Sequence, residues 1–262
     1  MPDNIPPAPK GRAKPNVTIA HSSDLHLGSD VGEVSSEGSK SLAKLRQVLT
    51  VAKAEGAALL IFAGDTFDHN RQTAEFVDEA FGIMDGFDAP VVILPGNHDP
   101  LSAESVYHRA RLTSFPNVSV LGLTIQDAAL FPKLGVEVWG KAHMDYNDMS
   151  PLSRPNPRST PWQVVAAHGH FVEEPHVEGR FLGSWVFRNE DLKATGADYI
   201  ALGHWNRAIQ VGEPHVNAYY SGSPEYARSV NVVQFRDDGV VEVKRTALPG
   251  AAPGSDDGGG IT

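Results

Sequence analysis

The first half of the chain alternates short apolar runs with helical stripes, and this alternation constrains the fold more than any other feature. Residues 17–20, 58–63 and 91–94 are apolar runs typical of buried strands. Between them, apolar side chains recur at helical spacing over residues 42–52 and 76–84. Such a βαβαβ succession requires right-handed crossovers, so we expect a largely parallel sheet.

The second half is richer in strand patterns than in helical ones. Its apolar runs cover residues 136–139, 164–167, 199–202 and 230–235. The last run is expected to pair with residues 240–244 across Asp238-Gly239, because Asp-Gly is a favoured hairpin turn. The predicted fold class is therefore α/β, with two facing mixed β-sheets flanked by helices, a four-layer αββα sandwich in a single domain.

The two ends of the chain differ from its middle in composition. Residues 1–15 are rich in proline and residues 249–262 in glycine and aspartate, so neither carries enough apolar side chains to pack. We expect a disordered head over 1–15, a folded domain over 16–248 and a disordered tail over 249–262. Residues 145–161 and 171–188 are expected to be long connections, the second able to reach over a site.

Composition limits the chemistry that the chain can perform. Because there is no cysteine, disulfides, thiolate metal ligands and a cysteine nucleophile are excluded, and any metal must be bound by His, Asp, Glu or Asn. The net charge of −10 argues against tight, unaided, non-specific binding to duplex nucleic acid. No apolar segment resembles a secretion signal or could span a bilayer, so a cytoplasmic location without a membrane partner is expected.

Polar clusters follow five of the predicted strands directly. Ligands of open α/β sheets gather at the carboxyl ends of the strands. A single Asp-x-His triplet would more often be structural, but five such clusters together favour a metal site, and without cysteine their carboxylates and imidazoles suit manganese, iron or zinc. The clusters are Ser22-Ser23-Asp24-Leu25-His26, Gly64-Asp65-Thr66-Phe67-Asp68, Gly96-Asn97-His98-Asp99, His168-Gly169-His170 and Gly203-His204-Trp205-Asn206.

In their order along the chain, these clusters resemble the signature of the calcineurin-like binuclear metallophosphoesterases. The resemblance spans about residues 17–225. Within that superfamily, SSDLHLG at 22–28, GDTFD at 64–68 and SGSPE at 221–225 are most similar to the nuclease subunits of DNA double-strand-break repair exonucleases. The matching motifs are Asp24-x-His26, Gly64-Asp65-x-x-Asp68, Gly96-Asn97-His98-Asp99, His168 and Gly203-His204.

The resemblance implies a centre of two divalent transition-metal ions, with manganese favoured over iron or zinc. It implies that Asp65 bridges the two ions. One ion would be held by Asp24, His26 and Asn206, and the other by Asn97, His168 and His204.

The resemblance also implies two catalytic roles in the third cluster. His98 would face the substrate and stabilise or protonate the leaving oxygen, as a general acid does. Asp99 would either orient that imidazole or fix the turn. Asp68 has two interpretations, as a carboxylate that supports a ligand or as one that caps the following helix.

One position departs from the family pattern. The family usually closes with Gly-His-x-His, whereas this chain has Asn206, a shorter and weaker ligand, so we expect a weaker first metal site. His170 and Arg207 are candidate substrate contacts, although His168 explains its motif alone and Arg207 is equally interpreted as solvated surface charge. The remaining histidines, His143 among them, are expected to be surface or hydrogen-bonded core residues.

The expected function is a metal-dependent phosphoesterase that hydrolyses phosphodiester bonds by a metal-activated water. The expected partner is a phosphate-ester substrate, with nucleotides or nucleic-acid ends as the implied class. The alternatives are a phosphomonoesterase on the same site or a catalytically impaired protein-binding scaffold. Beyond residue 225 we expect a closing hairpin rather than further DNA-binding regions, which favours a stand-alone enzyme, while the oligomeric state stays open.

Overall fold

Two six-stranded sheets face each other in the computed structural model, which describes residues 14–29, 39–152, 158–173 and 184–250. In chain order the elements are β1 (Val17–Ser22), α1 (Lys40–Ala54), β2 (Leu60–Ala63), α2 (Ala74–Asp85), β3 (Val91–Leu94), β4 (Val118–Val120), β5 (Ala128–Phe131), β6 (Val136–Gly140), β7 (Trp162–His168), β8 (His170–Phe171), β9 (Val186–Phe187), α3 (Asn189–Thr195), β10 (Tyr199–Gly203), β11 (Ile209–Val211), β12 (Ala218–Tyr220), β13 (Ser229–Phe235) and β14 (Val241–Ala247). Single 3-10 turns cover Val106–His108 and Leu112–Ser114.

The first sheet has the strand order β14-β13-β1-β2-β3-β4. The strands from β1 to β4 are parallel, as the βαβαβ pattern predicts, and β13 and β14 add an antiparallel hairpin at one edge. The turn of that hairpin contains Gly239 at φ 93°, a conformation that glycine adopts without steric cost. The first sheet is therefore mixed, with its parallel part formed by the predicted apolar runs.

The second sheet has the order β11-β12-β10-β7-β6-β5. Its four central strands are parallel, and β11 and β5 are antiparallel edges. Alternate residues of β7 point to opposite faces. Val164 and Ala166 pack between the two sheets, whereas Val165 and Ala167 join the cluster that contains Leu192 of α3.

The helices cover the outer faces of the two sheets. Helix α1 begins at Ser39, whose side chain accepts from the Leu42 amide, and it packs against α2, β1 and β13. Helix α2 begins at Thr73, whose side chain accepts from the Phe76 amide. With α3 on the second sheet, the layers run helix, sheet, sheet, helix, which confirms the predicted αββα sandwich in a single domain. None of the described helices is long and apolar enough to cross a bilayer.

Several boundaries differ from the sequence-based expectations. Residues 171–188 were expected to form a loop, but Phe171 of β8 pairs with Phe187 of β9 in a short parallel ladder, and residues 174–183 lie outside the described residues. In the expected connection 145–161, the described residues contain no helix, and residues 153–157 lie outside them.

The expected disordered head and tail fall mainly on residues 1–13 and 251–262, outside the described part of the chain. Lys14 and Pro15 do contact the fold. The indole N–H of Trp162 donates to the Pro15 carbonyl at 2.7 Å, and Lys14 Nζ lies 3.9 Å from the centroid of the same ring. These two residues therefore belong to the folded domain rather than to the head.

Candidate metal centre

The polar clusters at the strand ends converge into two ligand groups. One contains His26, Asp65 and His98, the other Asp65, His168 and His204, and in each the candidate ligand atoms lie within 4.8 Å of one another. Asp65, at the end of β2, belongs to both groups. A single buried carboxylate shared by two sets of imidazoles is the arrangement expected for a ligand that bridges two cations.

The second group contains an accumulation of hydrogen-bond acceptors. His168 donates its Nδ1–H to the Ala63 carbonyl at 2.9 Å, so in the neutral ring Nε2 has a lone pair and no proton. That Nε2 lies 3.1 Å from Oδ2 of Asp65 and 3.0 Å from Oδ1 of Asn97. His204 Nδ1 lies 3.2 Å from the same amide oxygen. Such a set needs a positive charge between its members.

The pKa values of the second group are shifted by the same charges. Burial alone would lower the pKa of His168, but the Asp65 carboxylate outweighs it and raises that pKa to about 9. Burial would raise the pKa of Asp65, but the His168 charge holds it below its usual range. Burial, and then the charge on His168, lower the pKa of His204 to about 3. A proton on His168 thus supplies the positive charge when no cation does.

The first group is built around His26. Its Nδ1 lies 3.3 Å from Oδ1 of Asp68, and its Nε2 lies 4.0 Å from Oδ2 of Asp65. Metal-binding histidines commonly donate their other ring N–H to a carboxylate, so Asp68 is positioned to orient His26 if His26 binds a metal ion. The alternative of Asp68 as a helix cap is wrong, because α2 is capped by Thr73, five residues further on.

Asp24 completes the wall beside the first group. It is buried and accepts from the Ser23 hydroxyl at 2.5 Å and from the His204 backbone amide at 3.0 Å. Burial, with the Asp65 charge adding to it, raises the pKa of Asp24. Ser23 in turn contacts the Ser221 hydroxyl at 2.8 Å, which connects the Ser-Gly-Ser segment to this carboxylate. A cation next to Asp24 and Asp65 would relieve the repulsion between them.

The backbone at the strand ends is held in an unusual conformation. Asp24, His26, Asp65 and His204 have φ values of 54°, 47°, 51° and 106°, in the left-handed region that favours glycine. Residues of this kind cost roughly 1–3 kcal/mol each and cluster at functional sites. Four expected metal ligands therefore share a strained backbone that the surrounding sheets hold in place.

Two glycines make room for the ligands. Gly64 has φ 92°, and a Cβ at this position would overlap the imidazole of His168. A Cβ at Gly96 would overlap the Asp65 carboxylate. The two glycines thus allow the backbone to lie close to ligand side chains as well as to turn, because a larger residue at either position would push a ligand out of the centre.

His98 and Asp99 have separate roles. The exposed His98 donates Nδ1–H to the Asp68 carbonyl at 2.9 Å, and its backbone amide donates to Asp65 at 2.9 Å. Asp99 is fully buried and accepts from the Gly96 and Phe67 amides at 2.7 and 2.9 Å and from the Tyr107 hydroxyl at 2.6 Å. Of the two roles expected for Asp99, these contacts support fixing the turn, while a backbone carbonyl orients the His98 imidazole.

Three expected site residues lie at the periphery. Asn206 and Arg207 are exposed on the turn after β10, and among the described residues the Asn206 side chain makes no hydrogen bond to another expected ligand. Coordination by Asn206 and substrate contact by Arg207 therefore stay predictions. His170 is half-buried, its ring centroid lies 6.2 Å from that of His204, and its Nδ1 accepts from the Trp205 indole N–H at 3.1 Å.

Sequence reasoning missed the aromatic residues around the histidines. Trp205 stacks on Tyr220 at 4.4 Å between centroids and 5° between planes, and the Tyr220 hydroxyl donates to the Gly169 carbonyl at 2.7 Å. On the other side, Trp185 lies 6.0 Å from His204 and 5.2 Å from the buried His143. Only Trp205 and Tyr220 had a signal in the sequence, since each adjoins a recognised motif.

The donor set fits a pair of divalent transition-metal ions. It combines carboxylate, imidazole and amide oxygen ligands without a thiolate, and the distances among donor atoms of His26, Asp65, Asn97, His168 and His204 include contacts of 3.0 to 4.0 Å. Hydrogen bonds occupy Nδ1 of His168 and leave Nε2 facing the centre. The residues that would hold the ions are Asp24, His26 and Asp65 on one side and Asp65, Asn97, His168 and His204 on the other.

Comparison with known proteins agrees with this geometry. The family model described as calcineurin-like phosphoesterase matches residues 17–207, so the chain belongs to that family. The family is generally dependent on two metal ions, and membership supports a phosphoester hydrolase.

Two curated relatives from Bacillus subtilis (strain 168) cover most of the chain. A subunit of the nuclease SbcCD is 25% identical over 270 residues, which cover 83% of this chain and 66% of the relative. The uncharacterized metallophosphoesterase YhaO is 23% identical over 231 residues, which cover 80% of this chain and 53% of that protein. The chain therefore spans about half to two thirds of the length of these relatives.

Solved structures show the same fold at low identity. The crystal structure of TT1561 of Thermus thermophilus is 11% identical, has a TM-score of 0.51, and covers 87% of this chain and 98% of that one. The 5'-nucleotidase precursor from the same organism is 15% identical, has a TM-score of 0.53, and covers 89% of this chain and 54% of that one. These similarities concern the fold alone.

Proposed function

We propose that this protein hydrolyses phosphodiester bonds, in nucleotides or at nucleic-acid ends, at a centre of two divalent transition-metal ions. The observation that carries the proposal is the position of Asp65, which is shared by the two ligand groups. Manganese is the preferred ion because of the family resemblance, and the mixture of carboxylate and imidazole ligands is compatible with manganese, iron or zinc. A cytoplasmic location belongs to the same proposal.

Two bound cations would supply an acidified water for in-line attack and would neutralise the phosphoryl oxygens. The protein residues supply the rest. The carbonyl of Ala63 and the carboxylate of Asp68 hold the imidazoles of His168 and His26 with their other nitrogens toward Asp65. The strained strand ends fix these ligands before substrate arrives, so little reorganisation is needed during the reaction.

His98 is proposed to act on the leaving oxygen. Its Nδ1–H is held by the Asp68 carbonyl, so Nε2 is the nitrogen available to the substrate. In the imidazolium form Nε2 also carries a proton, and transfer of that proton to the departing alkoxide, or a hydrogen bond from it, would contribute on the order of 10² to 10⁴-fold. Asp99 acts indirectly, since it fixes the turn on which Asn97 and His98 lie.

His170 is proposed to contact a phosphoryl oxygen. Because the Trp205 indole can only donate, Nδ1 of His170 is an acceptor and the neutral ring has its proton on Nε2. Burial lowers the pKa of His170, which favours this neutral form. The ring then offers one N–H donor beside the second ligand group. Arg207, which is exposed two residues after Trp205, is a further candidate contact for the same substrate.

The direct test is hydrolysis by the manganese-loaded protein. Bis(4-nitrophenyl) phosphate, 4-nitrophenyl phosphate, single-stranded DNA and double-stranded DNA would be compared, with Asp65→Asn and His98→Ala as matched variants. We expect diester hydrolysis that Asp65→Asn abolishes and His98→Ala reduces. Because Asn can still accept from the His98 amide, Asp65→Asn removes charge with little change in shape.

Two other outcomes would replace the proposal. Hydrolysis of the monoester alone would identify a phosphomonoesterase on the same site. No turnover of any substrate by a metal-loaded, folded protein would favour a protein-binding scaffold.

A further inference from the structure

A groove is lined in part by the chain segments that directly follow Asp68 and the Asn97-His98-Asp99 turn. It has a volume of about 560 Å³, within the range of small-molecule sites, and is lined by His69, Asn70, Arg71, Ser102, Glu104 and Tyr146. We call it the side groove. One wall directly follows Asp68, which contacts both His26 and His98. Arg71 is three residues after Asp68, so the Cα atoms of Asp68 and Arg71 are at most about 11 Å apart.

Asn70 joins two walls of the side groove. Its side chain is buried and donates to the Pro100 carbonyl at 3.0 Å, directly after the Asn97-His98-Asp99 turn. Its Oδ1 accepts from the Val106 amide at 2.9 Å. The segment after Asp68 and the segment after Asp99 are thus fixed to each other. The groove is therefore a permanent feature beside the centre rather than a gap between loose loops.

One wall of the side groove suits a phosphate. Nδ1 of His69 accepts from the Arg71 backbone amide at 3.1 Å, so the neutral ring has an N–H donor on Nε2. Arg71 is exposed, always charged, and forms no salt bridge within the described residues. An imidazole N–H and a free guanidinium are a suitable pair for phosphate oxygens.

Another wall of the side groove suits a planar base. Tyr146 has 63% of its surface exposed, so its ring is accessible to a ligand. Its backbone is held, because the Asn147 amide donates to Asp145 at 2.8 Å and the Trp185 indole donates to the Asn147 carbonyl at 3.0 Å. Exposed aromatic rings on a fixed backbone serve as stacking platforms for nucleobases. The Glu104 carboxylate can accept from base amino groups or sugar hydroxyls.

We propose that the side groove binds the nucleotide unit that leaves over His98, with its base on Tyr146 and its next phosphate on His69 and Arg71. This inference rests on the proposed diesterase activity and adds a specificity. Substrates with a further nucleotide beyond the scissile bond gain contacts that a simple diester lacks. The shared ligand chemistry is an oligonucleotide, whether a short free fragment or the end of a longer strand.

The test compares substrates of increasing length on the manganese-loaded protein. Bis(4-nitrophenyl) phosphate has no further phosphate, the trinucleotide TpTpT has one, and a 20-nucleotide single strand represents a longer end. We expect Arg71→Ala to lower kcat/KM about 10-fold for both oligonucleotides and to leave the aryl diester within twofold. Equal losses on both oligonucleotides indicate a local subsite, whereas a loss on the 20-mer alone would overturn the nucleotide subsite.

Substitutions of Tyr146 provide an independent test of the same proposal. Tyr146→Ala should lower kcat/KM for TpTpT about 10-fold, since stacking on one aromatic ring is lost, and Tyr146→Trp should retain it. Matched controls are Arg236→Ala, at the opposite end of the first sheet, and Tyr226→Ala, whose ring is 71% exposed outside the groove. Unchanged kinetics on TpTpT for both Arg71→Ala and Tyr146→Ala would overturn the proposal.

A binding measurement separates this proposal from the proposed activity. The dissociation constant of a fluorescein-labelled phosphorothioate trinucleotide is measured for the wild type and for Arg71→Ala by anisotropy. A higher Kd for Arg71→Ala than for the wild type supports nucleotide binding in the side groove even without turnover. Equal Kd values refute it, even where the enzyme hydrolyses diesters.

Discussion

Nε2 of His168 lies 3.0 Å from the amide oxygen of Asn97, while Nδ1 of the same ring donates to the Ala63 carbonyl at 2.9 Å. In the neutral ring, two acceptors therefore face each other beside the Asp65 carboxylate. Only a cation or a proton can satisfy all three atoms. The raised pKa of His168 shows that a proton on Nε2 is stabilised at this position. A bound metal ion would displace that proton.

The Asp99 network predicts a loss of stability when its hydroxyl donor is removed. Tyr107→Phe deletes the O–H that donates to the buried Asp99 carboxylate at 2.6 Å. We expect the free energy of unfolding to fall by about 1.5–3 kcal/mol, the usual value for a hydrogen bond to a charged group. Urea denaturation measures this change, with Tyr226→Phe as an exposed control.

Asp99→Asn should be more harmful than Tyr107→Phe, because the Asn side chain has one acceptor oxygen and its NH₂ group would face the other backbone amide, either that of Gly96 or that of Phe67. It should also lower kcat/KM, since the turn that presents His98 loosens. Stability within about 0.5 kcal/mol of the wild type in both variants would disagree with this account.

Trp205 is predicted to position His170. Trp205→Phe keeps a ring stacked on Tyr220 but removes the N–H that fixes the His170 tautomer. The loss of one neutral hydrogen bond should lower kcat/KM for a phosphodiester by about 2- to 10-fold. In a His170→Ala background the same substitution should have no further effect, which a double-mutant cycle measures. Additive losses in the two backgrounds would show that Trp205 acts elsewhere.

The buried His21 predicts a dependence of stability on pH. Burial, opposed by a backbone hydrogen bond with Leu202, lowers the pKa of His21 from its ordinary 6.5 to about 3. The folded protein therefore keeps His21 neutral where the unfolded chain binds a proton. Its contribution to stability is fully present above pH 6.5 and is lost as the pH falls toward 3.

The expected slope is at most about 1.4 kcal/mol per pH unit, or about 2 kcal/mol between pH 6.5 and pH 5. His21→Asn should remove this part of the slope, because the unfolded chain then has one titrating group fewer. Urea unfolding of both proteins at each pH isolates His21 from the other histidines. Parallel curves for the wild type and the variant would rule out this role.

Asn206 predicts unequal metal affinities. Because an amide is a shorter and weaker ligand than an imidazole, the ion held by Asp24 and His26 should bind more weakly than the ion held by His168 and His204. Calorimetric titration of the metal-free protein with Mn²⁺ should resolve two steps. Asn206→His restores the usual family motif and should bring the steps together. Two equally tight sites in the wild type would refute the prediction.

The central strands could be predicted from the sequence because burial on both faces makes them continuous aliphatic runs. The predicted run over residues 91–94 coincides with β3, and the run over residues 17–20 lies within β1. The edge strands β5 and β11 have only four and three residues, which is too short for a periodic signal. Their pairing depends on neighbours that are distant in sequence.

The ligands could be predicted because each lies at the end of a recognisable strand. The groups that orient them could not. The Ala63 carbonyl that fixes His168 comes from 105 residues earlier, and a backbone carbonyl has no sequence signature. For the same reason, the sequence did not predict that the Asp68 carbonyl orients His98, and it indicated a role only for the Asp68 carboxylate.

The most direct test of the account is anomalous diffraction from crystals soaked in Mn²⁺. We expect two peaks about 3.5–4 Å apart on either side of the Asp65 carboxylate. One should contact His168, His204 and Asn97, and the other Asp24 and His26. Crystals without anomalous density at Asp65, or with its neighbouring imidazoles turned away from it, would contradict the metal centre.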